Sequence, residues 1–210
     1  ADGQPWAVAE LRADADAMKV AAACGVGEGK AGGLPLALCA VGAQAADLGW
    51  DGVHEALTSD ALPPLDPAYH PHEEQYQALF GALRVSLTTL EPATRERYLM
   101  LAIFMEDERI DLEILQRLWQ LSALQVKQTV ATLVKRSLVI EGGAREGYVR
   151  LHDLQREFVQ REAGEARMAG WHAELLRRCG TTKIGVTEGA GCSVRYWADL
   201  LGTQGGRRRF

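Results

Sequence analysis

Apolar residues recur three and four positions apart along most of this 210-residue chain, a spacing that predicts amphipathic helices. A first helix is predicted over 6–24, and the five glycines within 25–33 predict a loop after it. A second helix, over 34–47, is apolar almost throughout, so we expect it to be deeply buried. A shorter helix over 51–58 completes this helical region.

A proline-rich stretch then interrupts the helical pattern. Proline fixes φ and has no N–H to donate, so the four prolines within 61–72 predict an extended linker and a domain boundary. We therefore predict a small helical domain over 1–62, a linker over 63–72, a second domain over 73–163 and the start of a following helical domain over 164–210.

The second domain begins with further amphipathic helices. They are predicted from Glu73, from Pro92, over 110–120 and over 123–136. Proline is favoured in the first turn of a helix, and Ser122 is a suitable N-cap for the last of them.

The spacing of apolar residues then changes from that of a helix to that of a strand. A short apolar segment over 138–140 and an alternating one over 148–151, joined by a glycine-containing turn, predict a two-stranded hairpin. Helices over 153–160 and 165–178 follow. Three helices followed by a hairpin are typical of a winged helix. The predicted fold class is mainly α: a small helical domain followed by a winged-helix domain with a short two-stranded β-hairpin.

Composition and charge argue against two classes of protein, those that span a membrane and those that bind nucleic acid generally. The chain is 47% hydrophobic and 24% charged, as in an ordinary soluble globular protein, and no apolar run is long enough to span a bilayer. Its net charge of −5 argues against a general nucleic-acid binder, which needs clustered basic side chains. The densest basic run, Arg207–Arg209, is interpreted as a solvated tail.

The spacing of the cysteines bears on metal binding and on the redox compartment of the protein. The first residue bears on whether the chain is a fragment. Cys24, Cys39, Cys179 and Cys192 form no CxxC pair and no cluster with zinc spacing, so we predict no metal and a reducing compartment. No signal peptide is visible, so a cytoplasmic location is expected. The first residue, Ala1, is not Met, which indicates a fragment or a processed product.

Gly29-Lys30 is the nearest approach to a phosphate-binding loop. The GxxxxGK[ST] pattern needs glycines so that backbone N–H groups reach phosphates, and a hydroxyl to hold magnesium. Cys24 stands at the first glycine position and Ala31 at the hydroxyl position, and a helix precedes instead of a strand. Because neither this Walker A element nor a Walker B strand is present, we predict no catalytic residue and no enzyme activity.

Gly33-Leu34-Pro35 opens the apolar second helix and admits two interpretations. A loop glycine and a proline can simply initiate a helix. Alternatively, Pro35 presents a rigid apolar surface to a flat ligand ring. The residues alone leave both open.

Leu151-His152-Asp153 also admits two interpretations. Asp153 stands between a strand and a helix, where an N-cap belongs, and His152 would then be an ordinary surface residue. Alternatively, His152 lies beside a helix N-terminus, where anions are favourably held, and its imidazole donates a hydrogen bond to a phosphate.

The order of these motifs resembles a known module. GGLPLALCAVG, then YLMLAIFMEDERIDLEILQRLW, then LVKRSLV, then YVRLHDLQREFV resemble the NB-ARC module of STAND signalling ATPases, a class that includes apoptotic protease-activating factors and plant disease-resistance receptors. SVRYWADLL resembles the start of the helical domain that follows the winged helix in the animal members. The resemblance covers residues 6–202.

The resemblance implies a nucleotide site completed by a P-loop domain that this chain does not contain. Pro35 would contact the base of ADP or ATP, with Gly33 and Leu34 supporting it. His152 would contact the ADP phosphate and keep the module closed, with Asp153 stabilising its loop. Exchange for ATP would open the module.

The resemblance also implies partners and a signalling role. The partners are the P-loop domain of the same parent chain, a C-terminal repeat domain, and further copies that form a ring-shaped homo-oligomer on activation. The chain alone is expected to be monomeric. The implied role is in apoptosis-like or defence-like signal transduction, with no nucleic acid and no membrane involved.

Three departures from the family pattern qualify the expectation. Leu151 replaces the methionine of the MHD-type motif, an apolar swap of similar volume. Residues 26–32 look like an insertion ahead of Gly33-Leu34-Pro35, which affects the placement of Pro35. The Walker elements are absent, so the chain is expected to sense nucleotide without hydrolysing it.

Two other functions fit parts of the sequence. A winged-helix DNA-binding regulator would read DNA with the helix over 123–136, through Lys127, Lys135 and Arg136. Three basic residues are few, and the acidic chain argues against this function. The second alternative is a scaffold that works without nucleotide.

Overall fold

The computed structural model describes residues 8–25, 35–59, 73–105, 108–142 and 147–180. It confirms the predicted class, a mainly α protein with a short antiparallel β element. The elements are, in chain order, α1 (Val8–Ala13), α2 (Ala15–Ala23), α3 (Pro35–Thr58), α4 (Glu73–Thr88), α5 (Pro92–Met100), a 3₁₀ helix (Leu101–Ile103), β1 (Ile110–Asp111), α6 (Leu112–Trp119), α7 (Ala123–Lys135), β2 (Ile140–Glu141), β3 (Tyr148–Arg150), α8 (Asp153–Ala163) and α9 (Glu165–Gly180).

The chain forms two compact units. Unit 1 comprises residues up to Pro92 together with Lys135–Leu138, and unit 2 comprises Ala93–Val134 and the chain from Val139 onward. The sequence predicted the boundary at the prolines of 63–72, which lie outside the described residues, whereas α4 packs against α3 within unit 1. The predicted domain ranges stay a prediction.

Unit 1 is built around α3, which packs against α2 on one side and α4 on the other. The contacting face of α3 is made of small residues, so neighbouring backbones come close; Ala37, Ala40 and Val41 are at most 1% exposed. The predicted deep burial holds for this face only, because Pro35 and Cys39 on the opposite face are exposed.

Two local features divide the helices of unit 1 differently from the prediction. The predicted helix over 6–24 is two helices, because Asp14 has extended backbone and its carboxylate accepts from the N–H groups of Asp16 at 2.9 Å and Ala17 at 3.0 Å. The two predicted helices over 34–47 and 51–58 follow each other without a loop, with only Gly49 (φ 73°, ψ 167°) leaving helical geometry. That conformation is almost restricted to glycine.

Unit 2 contains a three-stranded antiparallel sheet in the order β1-β3-β2. Ile110 pairs with Val149, and Ile140 pairs with Arg150. The predicted two-stranded hairpin is therefore present but has a third strand. The helix predicted to begin at residue 110 begins at Leu112, since the two residues before it extend the sheet.

The helices of unit 2 are tied to one another by side chains that bond to backbone carbonyls. Trp119 Nε1 donates to the carbonyl of Arg97 at 3.0 Å, which joins α6 to α5. Arg178 on α9 donates to the carbonyl of Leu118 at 2.5 Å, at the C-terminal end of α6. A cation is favourable there because it complements the helix dipole. The described part of the predicted following domain thus packs within unit 2.

Tyr98 on α5 buries a hydroxyl group without a hydrogen-bond partner in the described part of the chain. The residue is 0% exposed, and burial raises the pKa of its phenol. Tyr98→Phe removes an unsatisfied polar group and keeps the ring, so we expect the free energy of unfolding to rise by about 1 kcal/mol. Urea denaturation followed by circular dichroism measures this change, and a decrease in stability would contradict it.

Candidate functional site

His152 is positioned by the central strand of the sheet. β3 leads through Leu151, which is 6% exposed, directly to His152, whose side chain is 43% exposed. Leu151 fixes the backbone in the core of unit 2. The imidazole therefore emerges at the N-terminus of α8, an 11-residue helix.

The backbone hydrogen bonds around His152 include one half of a capping box, the bond to the side chain of Gln155. His152 N–H donates to Oε1 of Gln155 at 3.1 Å, and its carbonyl accepts the N–H of Arg156 at 2.9 Å. The N–H of Leu154 lies 3.3 Å from Nδ1 of His152 but 2.7 Å from Oδ1 of Asp153. The shorter contact assigns this amide to the carboxylate.

The carboxylate of Asp153 also contacts Nδ1 of His152. Nδ1 cannot accept from Leu154 and donate to Asp153 at once, and the closer carboxylate favours a proton on Nδ1. Nε2 makes no hydrogen bond within the described residues. When the ring is cationic, Nε2 also donates, so it can bind an anionic oxygen.

The structure corrects the predicted cap of α8. Asp153 was predicted as the N-cap, but the cap is His152 and Asp153 is the first helical residue. Sequence preference pointed to Asp153 because aspartate is a common cap and histidine is not. A histidine in this position departs from that preference.

The position of α8 itself is set by polar contacts to the segment after α5. Nε of Arg156 donates to the carbonyl of Phe104 at 2.6 Å, and Nε2 of Gln160 donates to that of Ala102 at 3.2 Å. Phe158 and Val159 are at most 1% exposed on the same helix. The N-terminus of α8 is thus held from both its polar and its apolar side.

Pro35 begins α3 in unit 1 and is exposed. A cavity of about 360 Å³ opens beside the same helix, lined almost wholly by apolar side chains of α1, α2 and α3. On α3 its lining begins at Leu38 and does not include Pro35. Pro35 thus offers an uncovered apolar ring at a helix start, which leaves both interpretations open.

Several predicted positions lie outside the described residues. Gly33 and Leu34, the glycine-lysine pair at 29–30, Cys192 and the basic run over 207–209 are among them. Cys24, Cys39 and Cys179 are free thiols, and no group of metal-binding side chains occurs among the described residues. None of the described helices is long and apolar enough to cross a bilayer.

The helix proposed to read DNA, α7, has an exposed face that carries Lys127 and Lys135. The third basic residue, Arg136, pairs with Asp47 at 2.7 Å and has its side chain only 14% exposed. Its charge is therefore engaged within unit 1, which weakens the case for phosphate contacts. Sequence reasoning had assigned no other role to Arg136.

Comparison with known proteins links the chain to signalling proteins of animals and plants. It is 30% identical over 104 residues to an apoptotic protease-activating factor 1 of Danio rerio, a match that covers 49% of this chain and 8% of the relative. It is 36% identical over 93 residues to a probable disease resistance protein of Arabidopsis thaliana, covering 43% of this chain and 10% of the relative.

These two matches support an NB-ARC/STAND-like relationship. Two relatives from different kingdoms support this relationship, although each match spans only about half of the chain and a tenth or less of the relative. No family model matches the chain. The matched part of the chain spans 8% and 10% of the length of these two relatives.

Proposed function

We propose that this chain is the nucleotide-sensing part of an NB-ARC switch, in which ADP or ATP is bound jointly with a P-loop domain. His152 contacts the phosphates and Pro35 contacts the base. The observation that carries the proposal is His152 at the N-cap of α8, with Asp153 against Nδ1 and Nε2 available for a ligand.

The physical basis is the affinity of a helix N-terminus for anions. The dipole of α8 favours negative charge at the helix N-terminus, and a cationic imidazole adds a charge-assisted donor. Asp153 orients the ring through its contact with Nδ1. The same carboxylate adds negative charge beside the ring, which opposes an anion, so the proposed phosphate contact depends on a direct hydrogen bond to Nε2.

A phosphate contact of this kind can act as a switch only through differential binding. ADP that bonds to His152 in the closed arrangement and not in the open one shifts the population toward closure. No group for hydrolysis is needed from this chain. Signal transduction of the apoptosis or defence type, with assembly into a ring, then follows from opening.

The test is ADP release from the full-length protein that carries this chain together with a P-loop domain. We expect His152→Ala to speed release roughly tenfold, since it removes one charge-assisted hydrogen bond. Asp153→Val should act in the same direction, because the ring loses its orienting partner, and both variants should raise basal signalling.

A matched control is Glu165→Ala. Glu165 is likewise an exposed acidic residue at the first position of a helix, α9, but lies away from His152 in the chain. Its substitution should leave ADP release unchanged. Unchanged release in both His152→Ala and Asp153→Val would contradict the proposed function and favour a scaffold without nucleotide.

A further inference from the structure

Arg136 is the centre of a partly buried polar network in unit 1. Its Nη1 bonds to Oε1 of Gln44 and, at 2.9 Å, to Oγ1 of Thr89, while Nη2 pairs with Asp47 at 2.7 Å. The guanidinium thus joins α3, through Gln44 and Asp47, to the turn that follows α4.

The partners of Arg136 are themselves bonded to one another. Gln44 and Ser86 are 0% exposed, and Nε2 of Gln44 donates to Oγ of Ser86 at 3.1 Å. Thr89 donates to Oε1 of Gln44 at 2.8 Å, and Ser86 donates to the carbonyl of Ala82 at 3.2 Å. A buried network of this kind stabilises a unique arrangement only while every member is bonded.

Arg136 lies in a short segment that belongs to unit 1, although the residues before and after this segment belong to unit 2. Ala93–Val134 and the residues from Val139 belong to unit 2, whereas Lys135–Leu138 belong to unit 1. Leu138 is 0% exposed, and Ser137 has a left-handed backbone with φ 55°. Such a conformation is uncommon outside glycine and needs surrounding contacts to persist.

We propose that Arg136 is a positioning residue that holds the segment Lys135–Leu138 against the rest of unit 1, which we call its seated state. We further propose that the segment detaches from unit 1, into a released state, when the switch opens. Breaking the guanidinium contacts frees the left-handed turn at Ser137 to relax, so the segment has a seated and a released state. The link to opening rests on the proposed function, whereas the seating itself does not.

The geometry requires arginine specifically. A planar guanidinium bonds to Asp47 through one nitrogen and to Gln44 and Thr89 through another. The single ammonium of lysine cannot occupy both places. Arg136→Lys therefore keeps the charge and loses part of the seating, and Arg136→Met loses all of it.

Hydrogen–deuterium exchange on the 210-residue chain tests the seating. We expect Arg136→Met to speed exchange across residues 134–142 about tenfold and Arg136→Lys to act in the same direction by a smaller factor. Lys135→Met is the matched control. It removes the same charge one residue earlier, from an exposed side chain, and should leave exchange within about twofold of wild type.

Each outcome of the exchange experiment either supports or overturns the proposed role of Arg136. Wild-type exchange in both Arg136 variants overturns the proposal, as does equal acceleration by Lys135→Met. If Arg136→Met speeds exchange throughout the chain, Arg136→Lys decides: acceleration confined to 134–142 supports the seating, and wild-type exchange overturns it.

ADP release from the full-length protein tests the link to opening. We expect Arg136→Met to speed release about fivefold or more, with Lys135→Met unchanged. If His152→Ala speeds release and Arg136→Met does not, the regulatory role of Arg136 is overturned. If His152→Ala also has no effect, the proposed function fails, while the exchange result still supports or overturns the seating on its own.

Discussion

Replacing Phe158 with alanine is expected to lower the free energy of unfolding of unit 2 by about 3–5 kcal/mol, the cost of deleting a buried aromatic side chain. Phe158 is 1% exposed on α8, so the ring leaves a cavity in the core. The same helix carries His152 at its N-terminus, and the loss of packing should also reduce the order of the proposed phosphate contact.

Urea denaturation monitored by circular dichroism measures the effect of Phe158→Ala. Phe158→Leu should cost markedly less because most of the volume stays, and Lys127→Ala, on the exposed face of α7, should change stability by less than about 0.5 kcal/mol. An equal cost for the leucine and alanine variants would show that Phe158 does not fill the core as described.

Replacing Gly142 with alanine is expected to lower the free energy of unfolding of unit 2 by about 1–3 kcal/mol, the usual cost of overpacking. A Cβ atom at Gly142 would lie 2.4 Å from both Cε1 and Cζ of Tyr148. That ring is 8% exposed and carries the guanidinium of Arg109 over its face, 4.9 Å from the centroid, so it has little room to move.

Gly170→Ala provides the control for Gly142→Ala. Gly170 lies within α9, and a Cβ there would meet nothing within 4 Å, so alanine should raise stability by about 0.5–1 kcal/mol through its helix propensity. Opposite signs for the two glycines would confirm that contact with Tyr148 decides the effect. A neutral Gly142→Ala would contradict the close packing.

The order of elements could be predicted because most helices have a strongly amphipathic sequence. The errors occurred where one residue's local chemistry outweighed the pattern. Asp14 divides a continuous apolar stripe by capping a new helix, and Ile110 joins a sheet because its partner strand lies 39 residues further along the chain, at Val149. Neither fact is visible in a window of neighbouring residues.

His152 and Arg136 differ in how much of their structural surroundings the sequence could predict. The position of His152 between a strand and a helix follows from the change in hydrophobic period, but its role as N-cap does not, because histidine is a poor cap by preference. Arg136 was grouped only with the lysines of its helix. Its partners Gln44 and Asp47 lie about ninety residues earlier, and nothing in the sequence pattern pairs them.

The path of the chain through the two units has a consequence for protein synthesis. On the ribosome, unit 1 has nearly its whole sequence once Pro92 has emerged, yet Gln44, Ser86 and Thr89 must wait for Arg136 before their shared network closes. Unit 1 therefore completes its fold only after α7 has been translated. A ribosome that stalls before that point presents unit 1 with Gln44 bonded to Ser86 and Thr89 but without the guanidinium that links them to Asp47.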